Sequence, residues 1–188
     1  MNRFDHITLT TPRLLLRPLL AADAPAVFVL RSDPLVNQYT GNTPWTSVES
    51  AQEFIARDLR AMENGEYLRL GMINSNNDDL FGTITLFHFD TQCRRAEIGY
   101  DMRPDMWGNA YMNEALLPVL ELGYTDLNLN RIEADVDPAN LASVKTLERL
   151  GFRQEGLLRE RWIVNGVKSD TVFLGLLHAD WLARHVES

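Results

Sequence analysis

Ala96-Glu97-Ile98-Gly99-Tyr100-Asp101-Met102 is followed shortly by Trp107-Gly108-Asn109-Ala110-Tyr111-Met112-Asn113-Glu114-Ala115, and the architecture turns on this pair of segments. The first part reads as a strand. The second is a turn of small residues that opens a helix. Successive backbone N–H groups at such a junction form a concave donor site, and the helix dipole adds partial positive charge, so the junction suits a pyrophosphate. A small-residue turn of this kind also serves as a plain tight connection.

Downstream, Asp137-Pro138-Ala139-Asn140-Leu141-Ala142-Ser143 leads into Val144 to Leu150 and Gly151-Phe152. Asn140 and Ser143 are three apart, so one helical turn puts them on the same face near its N-terminus. Asn140 is equally a plain N-cap, with Ser143 an ordinary first-turn residue.

Working outward, Arg13 to Leu19 reads as the first strand, and Asp23 as a cap before a helix over Ala24 to Leu30 that Asp33-Pro34 stops. A polar loop with aromatics, Asn37 to Thr46, precedes a second helix from Ser47 to Asn64. Strands follow over Tyr67 to Asn74, Leu80 to Asp90 and Cys93 to Met102, the first two joined by a polar hairpin loop. Asn109 to Tyr124 has helical spacing, with a kink expected at Pro118. Arg131 to Val136 reads as a strand, Asn140 to Leu150 as a helix, and Phe152 to Gly175 as two strands joined at Asn165-Gly166. Consecutive strands first, then strand-helix-strand-helix-strands, predict an α/β (α+β) fold: a mixed, mostly antiparallel sheet with helices on both faces. No repeat or linker interrupts residues 1–188, which read as a single domain.

Composition narrows the function. The apolar fraction of 45% suits a globular chain, and no apolar run is long enough to span a bilayer. The opening Met1-Asn2-Arg3-Phe4-Asp5-His6 is polar and charged where a secretion signal needs an apolar run, which predicts a cytoplasmic protein. The lone Cys93 forms no internal disulfide, and His6, His88, His178 and His185 lack ligand-like spacing, so no metal is expected. The formal charge of −8 disfavours nucleic acid as a partner and is compatible with a cationic amine. A dinucleotide-binding fold is disfavoured, because no Gly-x-Gly-x-x-Gly follows the first strand.

Taken together, Thr11-Pro12-Arg13-Leu14-Leu15-Leu16-Arg17, Ala96 to Tyr100, the Trp107-Gly108 turn and the Asn140 to Phe152 stretch resemble the GNAT superfamily of N-acetyltransferases. The nearest likeness is to its ribosomal-protein N-terminal acetyltransferase branch, the RimJ/RimL type, and it runs over nearly the whole chain. The resemblance implies the acyl-CoA N-acyltransferase fold and acetyl-CoA as cofactor, with coenzyme A as product. The family's pyrophosphate turn, Gln/Arg-x-x-Gly-x-Gly/Ala, falls on Trp107, Gly108, Asn109, Ala110, Tyr111 and Met112. Here Ala110 stands where Gly is usual, Met112 where Gly or Ala is usual, and Trp107 replaces the basic or amide residue.

The resemblance further implies that the backbone of Tyr100, Asp101, Met102 and Arg103 faces the pantetheine arm, that Asn140 hydrogen-bonds it, and that Ser143 lies near the thioester sulfur. Many relatives carry a tyrosine acid four residues after that serine. This chain has Leu147, so Ser143 inherits the role. Glu97 is the candidate proton acceptor; a cross-strand ion pair with Arg94, Arg95 or Arg103 would account for it without catalysis. Cys93 as an acyl carrier is disfavoured, since the family transfers the acetyl group directly.

Tyr39 and Trp45 either line the acceptor pocket or anchor their loop on the core. Glu160 and Trp162 are candidates on the opposite rim. The acceptor is an amine on a protein N-terminus, a polyamine or another small molecule. A non-catalytic acyl-CoA-binding domain is the competing class. A homodimer is compatible with the branch, with no sequence feature that demonstrates it.

Overall fold

The computed structural model describes residues 4–164 and 166–186. Its sheet starts with β1 (Leu9–Thr10) and β2 (Leu14–Arg17), followed by α1 (Ala24–Ser32), α2 (Pro34–Asn37) and α3 (Val48–Glu63). Then come β3 (Leu68–Asn74), β4 (Leu80–Asp90), β5 (Arg95–Met102), α4 (Tyr111–Thr125) and β6 (Arg131–Val136). The chain continues through α5 (Leu141–Leu150), β7 (Arg153–Val164), β8 (Val167–Leu177) and α6 (His178–Val186). The eight strands lie in the order β1-β2-β3-β4-β5-β6-β8-β7. Every pairing is antiparallel except β5 with β6, which α4 connects.

Strand side chains alternate between two apolar layers, as the period of two requires. Leu14, Leu16, Leu70 and Met72 join the layer that takes Leu116, Leu120 and Val119 of α4, with Leu147 and Leu150 of α5. Leu15 and Ile73 join the other layer, which takes Val27 of α1 with Ala51 and Ile55 of α3. Helices therefore cover both faces, as the sequence predicts.

One local reading needs correction, and others are extended. Asp23 does not cap α1 with its side chain; its carboxylate pairs with Arg17 at 2.7 Å and takes the Leu20 N–H. Pro34 begins the short α2, where its missing N–H costs nothing, and Asp33 caps that helix through the Leu35 N–H. Helix α4 runs through Pro118 as one element. The edge strand β1 and the C-terminal α6 are additional to the sequence reading. Of the expected Asn165-Gly166 turn, Asn165 lies outside the described residues, while Gly166 has φ +78°. Among the described residues, no helix is long and apolar enough to cross a membrane.

The feature that positions the site is a break in pairing. Strand β5 meets β6 only at Arg95↔Arg131, Ala96↔Ile132 and Glu97↔Glu133. Beyond this, β5 stays paired to β4 as far as Met102, and β6 stays paired to β8 as far as Val136. The two parallel strands are each held by an outer neighbour and part after Glu97 and Glu133, leaving backbone edges open towards one another.

Candidate active site

At the parted strands lies a cleft of about 2100 Å³. One side is built by the turn between β5 and α4. Arg103 starts it with a guanidinium forked between Asp79 (2.8 Å) and Asp105 (2.9 Å). Those two carboxylates hold its pKa above the usual arginine range. The Trp107 indole N–H donates to the Met102 carbonyl at 2.9 Å, and the Asn109 side-chain amide donates to the Met106 and Trp107 carbonyls. Gly108 at φ +77° and Ala110 at φ 60° turn the backbone so that consecutive N–H groups point the same way. From Gly108 to Asn113 those N–H groups find no acceptor among the described residues.

The turn is clamped from a distant part of the chain. Glu114, in the first turn of α4, accepts from the Thr11 hydroxyl at 2.5 Å, the Arg13 N–H at 3.0 Å and Arg13 Nε at 2.6 Å. Arg13 Nη2 reaches the Asn109 carbonyl at 3.1 Å, and its guanidinium lies 4.2 Å from the Tyr111 ring centre. This explains physically why the Thr11-Pro12-Arg13 opening accompanies the turn. Met112 points into the core at 8% exposure, so its bulk stays clear of the donor face.

Helix α5 begins beside the same cleft. Asn140 is its N-cap, Oδ1 accepting the Ser143 N–H at 3.2 Å, so its side-chain Nδ2 has no partner among the described residues. Tyr100 donates its hydroxyl to the Ser143 carbonyl at 3.4 Å, and burial pushes the phenol up to about 12, so it stays protonated. Leu147 is fully buried in the core. The Met102 carbonyl and Arg103 N–H, expected to face a ligand, are already used by Trp107 and by Phe81. The Asp101 side chain also borders the cleft, but its carboxylate is buried against Arg31 (2.7 Å) and the Thr83 hydroxyl (2.8 Å).

Glu97 does not pair with Arg94, Arg95 or Arg103. Arg95 is taken by Glu133 at 2.8 Å, the residue directly opposite Glu97. Glu97 instead contacts His88 Nδ1 at 3.1 Å, and it is His88 that lines the cleft. Tyr39 and Trp162 line the cleft as well. Trp45 does not; it packs edge-on against Phe54 at 5.2 Å. Glu160 sits outside the cleft and pairs with Lys168 at 2.6 Å. Sequence reading missed Asp135, which lines the cleft where β6 has left β5. Its carboxylate accepts from the Thr171 hydroxyl, Trp162 Nε1 (3.1 Å) and Arg161 Nε (3.3 Å), anchoring the Trp162 wall. Its position in the alternating Arg131 to Val136 pattern was the available signal.

Comparison with known proteins agrees with this architecture. Residues 13–153 match the family model described as acetyltransferase (GNAT) domain. The chain is 37% identical over 174 residues to the uncharacterized N-acetyltransferase p20 of Bacillus licheniformis, covering 93% of this chain and 98% of that one. A crystal structure of a probable acetyltransferase superposes with a TM-score of 0.83 at 26% identity, covering 93% of this chain and 99% of the other. A spermidine N-acetyltransferase from Vibrio cholerae, solved with CoA and spermine, shares the fold with a TM-score of 0.80 at 23% identity, covering 92% and 99% of the two chains. With its parted parallel strands and its donor-lined turn at the start of α4, the chain belongs to the GNAT family of acetyltransferases and is an N-acetyltransferase.

Proposed function

We propose that the chain binds acetyl-CoA across the parted strands and transfers the acetyl group to a primary amine by direct attack. The observation that carries this reading is the unpartnered run of N–H groups from Gly108 to Asn113 beside open strand edges. Left dry and unpaired, such donors cost on the order of 1–3 kcal/mol each, and a pyrophosphate at a helix start meets several at once. Ala110 already holds the left-handed conformation that the family's usual glycine would supply. The residues present therefore fit the cofactor. It supplies a thioester whose carbonyl carbon is the electrophile.

The chain's own groups have distinct tasks. Asn140 Nδ2 and the open edges of β5 and β6 hold the pantetheine arm. The Ser143 hydroxyl donates a hydrogen bond to the departing sulfur. The acceptor must reach the cleft as a neutral amine, and the nitrogen sheds a proton when its new bond forms. His88, oriented by Glu97, takes that proton, directly or through water. Tyr39 and Trp162 flank the acceptor's entry. The open cleft suits an amine presented on a larger body, and we take the N-terminus of a protein, as in the ribosomal-protein branch, over a free polyamine.

Calorimetric titration with acetyl-CoA, using NAD as control, tests the cofactor half. Saturable binding of acetyl-CoA alone is expected. Thiol release on adding N-terminal peptides tests the transfer half, and absence of cofactor binding overturns both.

A further inference from the structure

The half of the cleft on the α1 and α3 side is rich in arginine. Arg31 of α1, Arg57 of α3 and Arg69 of β3 all line it, although they come from three separated segments. Their guanidinium carbons surround one ring, Phe54, at 5.3, 5.1 and 4.5 Å from its centre. Two carboxylates serve these three cations. Asp101 meets Arg31 at 2.7 Å, and Asp58 meets Arg69 at 3.0 Å and Arg57 at 3.6 Å. Asp58 also accepts the Tyr67 hydroxyl.

The pairing is incomplete in geometry as well as in charge. Arg31 Nε and Arg69 Nε and Nη1 are buried without a hydrogen bond, because the ion pairs are close but poorly aligned. Burial lowers the Arg69 pKa, although a guanidinium stays charged. Arg57 carries the surplus charge and is 64% exposed. Thr85, directly across from Arg69 in the β3–β4 register, also lines the cleft, and its hydroxyl has no partner among the described residues. The other ionisable groups nearby are Tyr67, His88 and Glu66; Glu66 is exposed and takes the Asn64 amide at 3.3 Å. Across the cleft, Asp135 and Asp170 line it near the strand gap, with Asp137, Lys145, Arg149 and Arg184 also among its lining residues, and Asp135 pairs with Arg161 at 3.3 Å.

We propose that the acceptor is an amine that also carries a carboxylate, the carboxylate seated at Arg57, with Arg69 and Thr85 beside it, and the amine directed towards Asp135 and Asp170 at the strand gap. This rests on the N-acetyltransferase reading and deepens it. The exposed Arg57 guanidinium, with donors to spare, recognises a carboxylate by charge and by geometry, and the mostly buried Arg69 and Arg31 add positive charge behind it. It repels a polyamine, whose every nitrogen is cationic. Two sources of the carboxylate share this chemistry: an acidic side chain close to the N-terminus of a polypeptide, and the α-carboxylate of a free amino acid.

The test begins with acetyl-CoA binding by calorimetry, which must succeed for wild type. Thiol release is then measured with a peptide carrying Glu near its N-terminus, the same peptide with Gln, free glutamate, its diamide, and spermidine. The Glu peptide or glutamate is expected to exceed its neutral amide by about tenfold in kcat/KM, the scale of one charge-assisted hydrogen bond. Which of the two is preferred identifies the source. R57Q should shrink that ratio towards one, and R57E should raise the relative rate with spermidine, both without loss of melting temperature. Equal rates on acidic and neutral acceptors, spermidine as the best acceptor, or a loss of acetyl-CoA affinity in R57Q overturns the proposal while leaving the transferase reading intact. Failure of wild type to bind acetyl-CoA removes the reading on which it rests.

Discussion

Glu114→Gln gives a direct test of how the donor turn is held. The carboxylate receives three donors from the Thr11–Arg13 segment, and only 17% of its side chain is exposed. Glutamine is isosteric but neutral. Its oxygen can keep one or two of the hydrogen bonds, while its NH2 group must face Arg13 Nε, donor against donor. Arg13 is 42% exposed, so solvent screens the ion pair and its loss counts for less than about 1 kcal/mol. Weakening the two other hydrogen bonds adds on the order of 1 kcal/mol. A total near 2 kcal/mol corresponds to a fall in melting temperature of roughly 4–8 °C for a chain of this size.

The assay is a thermal melt followed by circular dichroism at several pH values. The folded Glu114 pKa is lowered because the hydrogen bonds from Thr11 and Arg13 outweigh the opposing effect of burial. Its stabilisation is therefore complete above the unfolded carboxylate value, about 4.3, and is lost as pH falls through the depressed folded value. The gap between wild type and E114Q should be widest near neutrality and close in acid. A gap under about 1 °C at pH 7, or one that persists unchanged in acid, refutes the clamp.

Ala110→Gly removes the left-handed strain of an L residue, about 1–2 kcal/mol, but frees the unfolded chain by about 0.4–1 kcal/mol. A rise of roughly 1–3 °C in melting temperature is expected, with acetyl-CoA affinity little changed by calorimetry because the N–H groups are already placed. Gly82→Ala sets a Cβ 2.6 Å from the Asp101 carbonyl oxygen, so β4 and β5 must separate beside the cleft. Chemical denaturation should register a loss of about 1–3 kcal/mol. Ser143→Ala should lower kcat by about tenfold or more with little change in acetyl-CoA Kd, and wild-type turnover in that variant removes Ser143 from the chemistry. Glu97→Gln and His88→Gln should each lower kcat/KM most at neutral to alkaline pH, where an unprotonated imidazole is free to accept the proton, and the gap to wild type should narrow in acid. Unchanged pH–rate profiles would assign the proton to another group.

The fold was legible where short-range chemistry decides structure. Alternation in Arg131 to Val136 and helical spacing in Val48 to Glu63 were readable, the helix because it buries one side against a single layer, while Leu80 to Asp90 read as a strand although its first seven residues are buried on both faces. The donor turn was readable too, since Gly108 and Ala110 lie next to the helix they introduce. Short elements escaped notice. Two-residue β1 and four-residue α2 are too brief for any periodicity, and they persist through β2 pairing and the Asp33 cap. Pro118 stands inside α4 without ending it, in keeping with a helix that the sequence carries past that proline.

Local chemistry was enough for the longer elements, the donor turn and the N-capped start of α5, all features in which the interacting atoms are separated by a few residues. Tertiary structure alone decided which charges meet. Arg95 went to Glu133 and left Glu97 to His88, because register across the parallel pair places the two glutamates side by side. Glu114 found Thr11 and Arg13, 103 and 101 residues away along the chain. A formal charge of −8 describes the whole surface and conceals a local surplus of arginine around Phe54. Coulomb interactions and hydrogen bonds act over a few ångströms of space, and only the folded chain establishes which residues share that space.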